Sequence, residues 1–265
     1  MPELPEIITI RNDLQKELVG KRIVSVEFAK NYKTAAGFAA GLENTTVVGI
    51  SNVAKLIVIH LSNKKFIASH LNMSGLLLYN APDQYVKIAL AFDTRDKLYY
   101  SDTRLFGYFE CWDEVKLTAY KKRHGTEALD QSLTPSIFAN TLKKRKTSIK
   151  AALMDQTLIS GIGNIYANDS LFMSCINPWT KTTELTDARY KMLLKNIREV
   201  LSEGVTHRGS SIDRYRDIYN KPGTQQNHFR IYGKAGRNCN TCGTRIVFEK
   251  IQGRSTYICP KCQPK

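Results

Sequence analysis

Four of the six cysteines in this 265-residue chain form two C-x2-C pairs, Cys239 with Cys242 and Cys259 with Cys262. Each pair can present two thiolates from one tight knuckle, and two knuckles close a tetrahedron around Zn2+. Sulfur then fills every position and none is left for water, so one zinc per chain is expected, structural and not catalytic. Between the pairs runs GTRIVFEKIQGRSTYI, two β-like runs that meet near Gln252 and Gly253. This predicts a hairpin with Arg254 near its tip. A guanidinium there suits a phosphate or a base edge, and it is also what a solvated surface carries.

A second group surrounds Gly161, Gly163 and Asn164, where LISGIGN turns into the apolar run IYANDSLFMS. Backbone amides at such a turn, with the positive end of a helix dipole behind them, can receive a phosphate. Asn164 is a natural N-cap, so a capped helix with a glycine turn explains the same residues. The basic run KKRKTSIK from Lys143 to Lys150 shifts the balance toward a polyanion.

The whole composition points the same way. Lys and Arg number 39 against 24 Asp and Glu, a formal charge of +15, which favours a polyanionic partner through counterion release and steering. The start, MPELPEIITIRNDLQ, has no basic n-region, and no apolar run is long enough to span a bilayer. A cytoplasmic protein is expected, on the nucleoid if bacterial, with thiols serving metal or packing and not disulfides.

The elements that must position these groups follow from periodicity. Ile7, Ile10, Leu14 and Leu18 fall at helical spacing over Glu6 to Leu18, and Gly20 ends the run. From Lys21 to Trp112 come short β-rich runs, RIVSVEF, TTVVGI, KLIVIHL, KFIASHL, VKIALAF and KLYYS, separated by turn residues. They predict a β-sandwich or barrel. The charged stretch near Tyr120 to Thr134 reads as a linker. Helices resume at Thr134–Pro135, over Ser148 to Gln156, after the glycine turn, and over Asp187 to Glu203. Between His207 and Gly236 the sequence is polar and aperiodic, and a mobile loop is expected.

The chain resembles the formamidopyrimidine-DNA glycosylase and endonuclease VIII family from end to end. PELPE at the terminus, HLNMSG at 70–75, GIGNIYA at 161–167 and the finger ending GRSTYICPKCQ carry the match. The resemblance implies an α+β fold: an N-terminal β-sandwich flanked by helices (1–120), a linker (121–134), a helical domain with a helix-two-turns-helix (135–226) and a β-hairpin zinc finger (227–265). It also implies damaged double-stranded DNA as partner, a monomer, and no small-molecule cofactor.

For the active site the resemblance implies that Met1 is trimmed, so that Pro2 becomes a secondary amine with a useful neutral fraction near pH 7. Its attack on the anomeric carbon gives an iminium, and elimination then cuts the strand. Glu3 corresponds to the acid/base carboxylate, Glu6 to a second carboxylate that positions the terminus, and Lys55 to a lysine gripping phosphate. Lys150, Asn164 and Arg254 correspond to further DNA contacts. Val53 and Ala54 depart from the family, which has a basic pair before that first lysine.

Met73, Arg104 and Phe106 correspond to the trio that fills the hole left by an extruded base. With PELPE they point to oxidised purines such as 8-oxoguanine and formamidopyrimidines. The alternatives are an endonuclease VIII-like preference for oxidised pyrimidines, or a damaged-DNA-binding protein without catalysis. The 207–236 stretch resembles the loop that closes on the damaged base, with Arg208 where a second glycine is usual.

Overall fold

Proline in the first turn needs no amide partner and arrives with a helical φ, so it starts the first helix early. That helix, α1 (Leu4–Leu18), begins two residues before the expected Glu6 and buries Ile7, Ile10, Leu14 and Leu18 along one face. Residues 1–30, 32 and 38–265 are described by the computed structural model. They divide into two units, Met1–Lys122 with Val205–Gln226, and Arg123–Gly204 with Asn227–Lys265. Residues 205–226 therefore group with the first unit and not with the helices expected over 135–226.

Eight strands of the first unit are β1 (Ile23–Phe28), β2 (Val47–Val53), β3 (Leu56–Leu61), β4 (Phe66–His70), β5 (Gly75–Tyr79), β6 (Val86–Phe92), β7 (Lys97–Asp102) and β8 (Tyr108–Trp112). They form two four-stranded sheets, β1-β6-β7-β5 and β2-β3-β4-β8, antiparallel throughout. The core between them takes Ile57, Ile59 and Ile67 from one sheet, Leu77, Ile88, Leu90 and Leu98 from the other, and the apolar stripe of α1. Each such side chain contributes roughly 1.5–3 kcal/mol on burial.

Strand β3 is apolar at every position of its first half because both its faces are covered. Ile57 and Ile59 face the sandwich interior, whereas Leu56 and Val58 pack with Phe66, Trp112, Leu117 and Tyr120. Leu117 and Tyr120 belong to α2 (Glu114–Lys122), a charged helix that the sequence does not announce.

In the second unit, Thr126–Glu127 (β9) pairs in parallel with Ile159–Ser160 (β10). The helices are α3 (Pro135–Lys143), α4 (Ile149–Met154), α5 (Asn164–Met173) and α6 (Asp187–Thr206), whose last residues enter the first unit. Thr134 and Ser148 cap α3 and α4 through their hydroxyls, at the two starts expected from the sequence, and α4 ends at Met154, two residues short of the expected Gln156. The expected linker at 121–134 is instead tied down. Beyond β9, Arg198 of α6 donates to the carbonyls of Ala128, Asp130 and Leu133. The hairpin β11 (Val247–Ile251) and β12 (Arg254–Ile258) ends the fold. Its two-residue turn, Gln252–Gly253, has φ of 46° and 73°, the pattern of a type I′ turn.

Candidate active site

Two glutamates close the start of α1. Glu3, the N-cap, accepts the amide of Glu6, and its own amide donates to Glu6 Oε2 at 2.7 Å. This reciprocal capping box places two carboxylates at the positive end of a helix dipole. Both are buried, at 3% and 2% exposure. The second oxygen of Glu6 accepts the Ser210 amide at 2.8 Å. Gly209 makes that approach possible, since a Cβ there would lie 2.7 Å from Glu6 Cγ and its φ is +80°. Gly223 is needed as well, because its Cβ would sit 2.1 Å from the Gly209 carbonyl oxygen. Pro2 is buried and adjoins Glu3, with its nitrogen in the peptide bond to Met1.

Lys55 lies 5% exposed in the two-residue turn that joins β2 to β3, where Val53 pairs with Leu56. Ala54 turns the chain with φ +53°. Arg11 of α1 donates to Asn52 Oδ1 at 2.8 Å, which fixes this turn to the helix that carries the glutamates.

Met73, Arg104 and Phe106 occupy two neighbouring loops of the same unit, after β4 and after β7. Met73 and Phe106 are 41% and 54% exposed, and the Arg104 guanidinium lies 4.5 Å over the Phe106 ring. Large apolar groups held outward on a rigid mount are what a binding surface needs. The mount is Asp102, buried and not anticipated from the sequence. Its Oδ1 accepts the Arg104 amide at 3.0 Å and Ser74 Oγ at 2.5 Å. Its Oδ2 accepts the Gly107 amide at 2.9 Å and the Tyr100 hydroxyl at 3.1 Å. Burial pushes this carboxyl up, but the hydrogen bonds from Ser74, Gly107, Arg104 and Tyr100 outweigh it and hold it below its ordinary range. Asn72 adds a hydrogen bond to the Phe106 carbonyl. The signal available in SDTRLFG was an Asp two residues before the arginine, the spacing of an Asx turn.

In the second unit, Gly163 and not Asn164 caps α5, and Asn164 is its first helical residue. Gln156 fixes the glycine turn, accepting from Gly161 N–H at 2.9 Å and donating to the Ile162 carbonyl at 2.8 Å. Asn168, one turn along, donates to the Asn164 carbonyl and accepts the Tyr257 amide of the hairpin at 2.9 Å. Lys150 is wholly buried. Its ammonium donates to the Ser255 carbonyl at 2.6 Å and Thr256 Oγ1 at 2.7 Å, so it holds the strand that bears exposed Arg254. Arg145, Lys146, Lys150 and Arg254 line one cavity of about 630 Å3.

The 227–236 stretch, which continues from a 3-10 turn at Gln225–His228, is anchored from α5. Asp169 of α5 accepts the amides of Arg230, Ile231 and Tyr232 at 2.9–3.0 Å. The four finger cysteines bring their sulfurs within 4.8 Å of one another, with Cys242 and Cys259 3.4 Å apart and Cys239 and Cys262 3.9 Å. A tetrahedral Zn–S bond of about 2.3 Å requires a sulfur separation of about 3.8 Å, so the knuckles fit the ion.

Three stretches of the chain match known families: residues 1–109 the formamidopyrimidine-DNA glycosylase N-terminal domain, 124–216 its H2TH domain, and 236–265 a zinc finger found in FPG and IleRS. A formamidopyrimidine-DNA glycosylase of Chloroflexus aurantiacus is 39% identical over 99% of this chain and 98% of its own length. The chain belongs to the formamidopyrimidine-DNA glycosylase family. A relative of that name from Lactococcus lactis is 36% identical over the full length of both chains. Among solved structures, the MutM (Fpg) protein of Thermus thermophilus superposes with a TM-score of 0.89 at 30% identity, covering 100% of this chain and 99% of its own. The Lactococcus lactis Fpg in complex with abasic-site DNA gives 0.90 at 33%, with both chains fully covered. The α+β fold and the structural zinc expected of this family are those of the chain. No helix among the described residues is long and apolar enough to cross a membrane.

Proposed function

We propose that the chain is a bifunctional DNA glycosylase and abasic-site lyase of base excision repair that removes oxidised purines, formamidopyrimidines among them. The observation that carries this reading is the pair of buried carboxylates locked onto the first residues of the chain. A carboxylate beside an N-terminal secondary amine can move protons for it. Relatives across the whole chain are named formamidopyrimidine-DNA glycosylase, and one similar structure is a Lactococcus lactis Fpg mutant with Fapy-dG DNA, which favours purine lesions.

Removal of Met1 frees the Pro2 nitrogen. Its lone pair attacks C1′ of the damaged nucleotide, the glycosidic bond breaks and the base departs with the bonding electrons and a proton. Glu3 protonates the sugar ring oxygen, the ring opens and an iminium joins C1′ to Pro2. Loss of a 2′ proton then expels the 3′ phosphate, and a second elimination expels the 5′ phosphate. Glu6 keeps Glu3 and the terminus in place, and Lys55 binds phosphate. Met73, Arg104 and Phe106 fill the vacated stack. Asn164 and Arg254 contact the backbone, and Lys150 acts by holding the hairpin under Arg254. Zinc, bound by Cys239, Cys242, Cys259 and Cys262, folds the finger and takes no part in the chemistry. The protein works as a cytoplasmic monomer without a small-molecule cofactor.

Borohydride added during reaction with abasic DNA tests this reading. The expected product is protein joined to the strand through Pro2, located by mass spectrometry, and absent when Met1 is retained. An adduct on Lys55 or another lysine, with Pro2 unmodified, would overturn the mechanism.

A further inference from the structure

Arg208 adopts φ +58°, a conformation that costs a side-chain-bearing residue roughly 1–2 kcal/mol and that glycine takes freely. Its guanidinium spans two buried carboxylates. It meets Asp13 of α1 through Nη1–Oδ1 at 3.3 Å and Nη2–Oδ2 at 2.5 Å, and Asp217 through Nε at 3.1 Å and Nη2 at 2.6 Å. The Asp13 and Asp217 side chains are 5% and 2% exposed. Asp217 also closes its own turn by accepting the amides of Tyr219 and Lys221 at 3.0 and 2.9 Å. The Arg208 carbonyl takes the hydroxyl of buried Tyr215 at 3.2 Å.

Two residues further on, the Ser210 amide reaches Glu6. Glu6 and Asp13 are seven residues apart on α1, two turns along one face and about 10 Å in rise. The 208–217 segment is thus fixed to that face at two points. The segment has other ties, Gln225 N–H to the Gly209 carbonyl, Ser211 N–H to Gln226 and Tyr215 in the core, but Arg208 directly precedes Gly209, so its clamp sets where the chain enters the turn that carries the Ser210 amide to Glu6. As a stabilising device the triad contributes little, since desolvating the two buried carboxylates offsets much of their attraction to a guanidinium that stays 43% exposed. What it does provide is registration.

We infer that Arg208 is a positioning residue: by clamping Asp13 and Asp217 it sets the Ser210 amide on Glu6 and so orients the Glu3–Glu6 pair at the terminus. The inference rests on the glycosylase reading for its effect on rate, and on geometry alone for its effect on the turn.

The test is Arg208→Gly, which suits the backbone angle and so should fold, together with Asp13→Asn and the double variant. In the chain with Met1 removed, Arg208→Gly should lower single-turnover base excision at saturating DNA by about tenfold or more. Affinity for a duplex holding an abasic-site analogue should stay within about twofold, because the Arg208 guanidinium is already engaged by Asp13 and Asp217. Asp13→Asn should have a smaller effect of the same kind, and the double variant should match Arg208→Gly alone, since the contact is already lost. Amide exchange at Ser210, read by NMR, should quicken about tenfold or more in Arg208→Gly whether or not the chain is an enzyme. Unchanged Ser210 exchange overturns the clamp. A loss confined to DNA affinity, or additive single effects in the double variant, overturns the positioning role. If the unaltered chain yields no Pro2 adduct, the glycosylase reading fails, and Ser210 exchange still decides the clamp.

Discussion

Replacing Asp102 should undo the mount beneath Arg104 and Phe106. Four donors converge on its carboxylate: the amides of Arg104 and Gly107, and the hydroxyls of Ser74 and Tyr100. Hydrogen bonds to a charged group contribute roughly 1.5–3 kcal/mol each, but a donor that can reach water recovers most of that. Arg104 is exposed and Gly107 half-buried, so their amides resolvate, whereas Ser74 and Tyr100 are buried and are left with unmet hydroxyls. Two full losses give about 3–6 kcal/mol for Asp102→Ala, against a total of about 5–15 for an ordinary domain. Asp102→Asn keeps one acceptor and should cost about half as much. Urea titration measures both. The carboxyl is held below its ordinary value of 3.8, so its contribution is complete at neutral pH and is lost as pH falls through the lowered value. The gap between wild type and Asp102→Asn should therefore be constant near pH 7 and shrink in acid below 3.8. In base-excision assays at neutral pH both variants should fail more on a damaged base than on a preformed abasic site. A stability loss under about 1 kcal/mol for Asp102→Ala, or a gap that widens in acid, would refute the assignment.

Removing the zinc with a chelator, or Cys239→Ser, should unfold the finger and abolish duplex binding, read by anisotropy; full binding by zinc-free protein would contradict this. Phe106→Ala and Arg104→Ala should slow base excision by about tenfold or more while sparing cleavage of a preformed abasic site, and equal losses on both substrates would mean the pair does not fill the stack. Glu3→Gln should suppress base excision most of all yet leave Pro2 able to trap on abasic DNA, as gel-resolved adduct. Arg254→Ala should reduce the salt slope of DNA binding by about one, whereas Lys150→Met, which removes a buried tie, should lower melting temperature and leave the slope almost unchanged.

The zinc site and the finger's turn are readable in the sequence because their residue types and spacing are local. Two C-x2-C pairs fix a zinc site without reference to the rest of the chain, and Gln252–Gly253 can hardly be anything but a turn. Helix starts at Thr134 and Ser148 are readable for the same reason, since a hydroxyl N-cap reaches only three residues ahead. The start of α1 falls earlier than its apolar period indicates because Glu3 caps with a carboxylate ahead of a proline, outside the usual Ser/Thr pattern. Helix α2 carries no signal because only Leu117 and Tyr120 of its residues are buried, too few for a period to emerge from the lysines around them.

What sequence does not reveal is which distant partner satisfies an irregular backbone. Segments 121–134 and 207–236 lack periodicity, and polarity without period ordinarily means exposure and motion. Here single side chains take the place of a ladder: Arg198 on three carbonyls, Asp169 on three amides, Arg208 across two carboxylates and Gln156 around the glycine turn. The partners of Arg198 and Asp169 lie about sixty to seventy residues away, and Asp13 is 195 from Arg208. No short-range pattern encodes such a pairing. The same feature explains how the 208–217 stretch reaches Glu6. A strand or helix fixes every residue in a repeating geometry, whereas a loop clamped at two or three points can set one amide on Glu6 or one ring beside Arg104 and leave its neighbours free to follow the ligand.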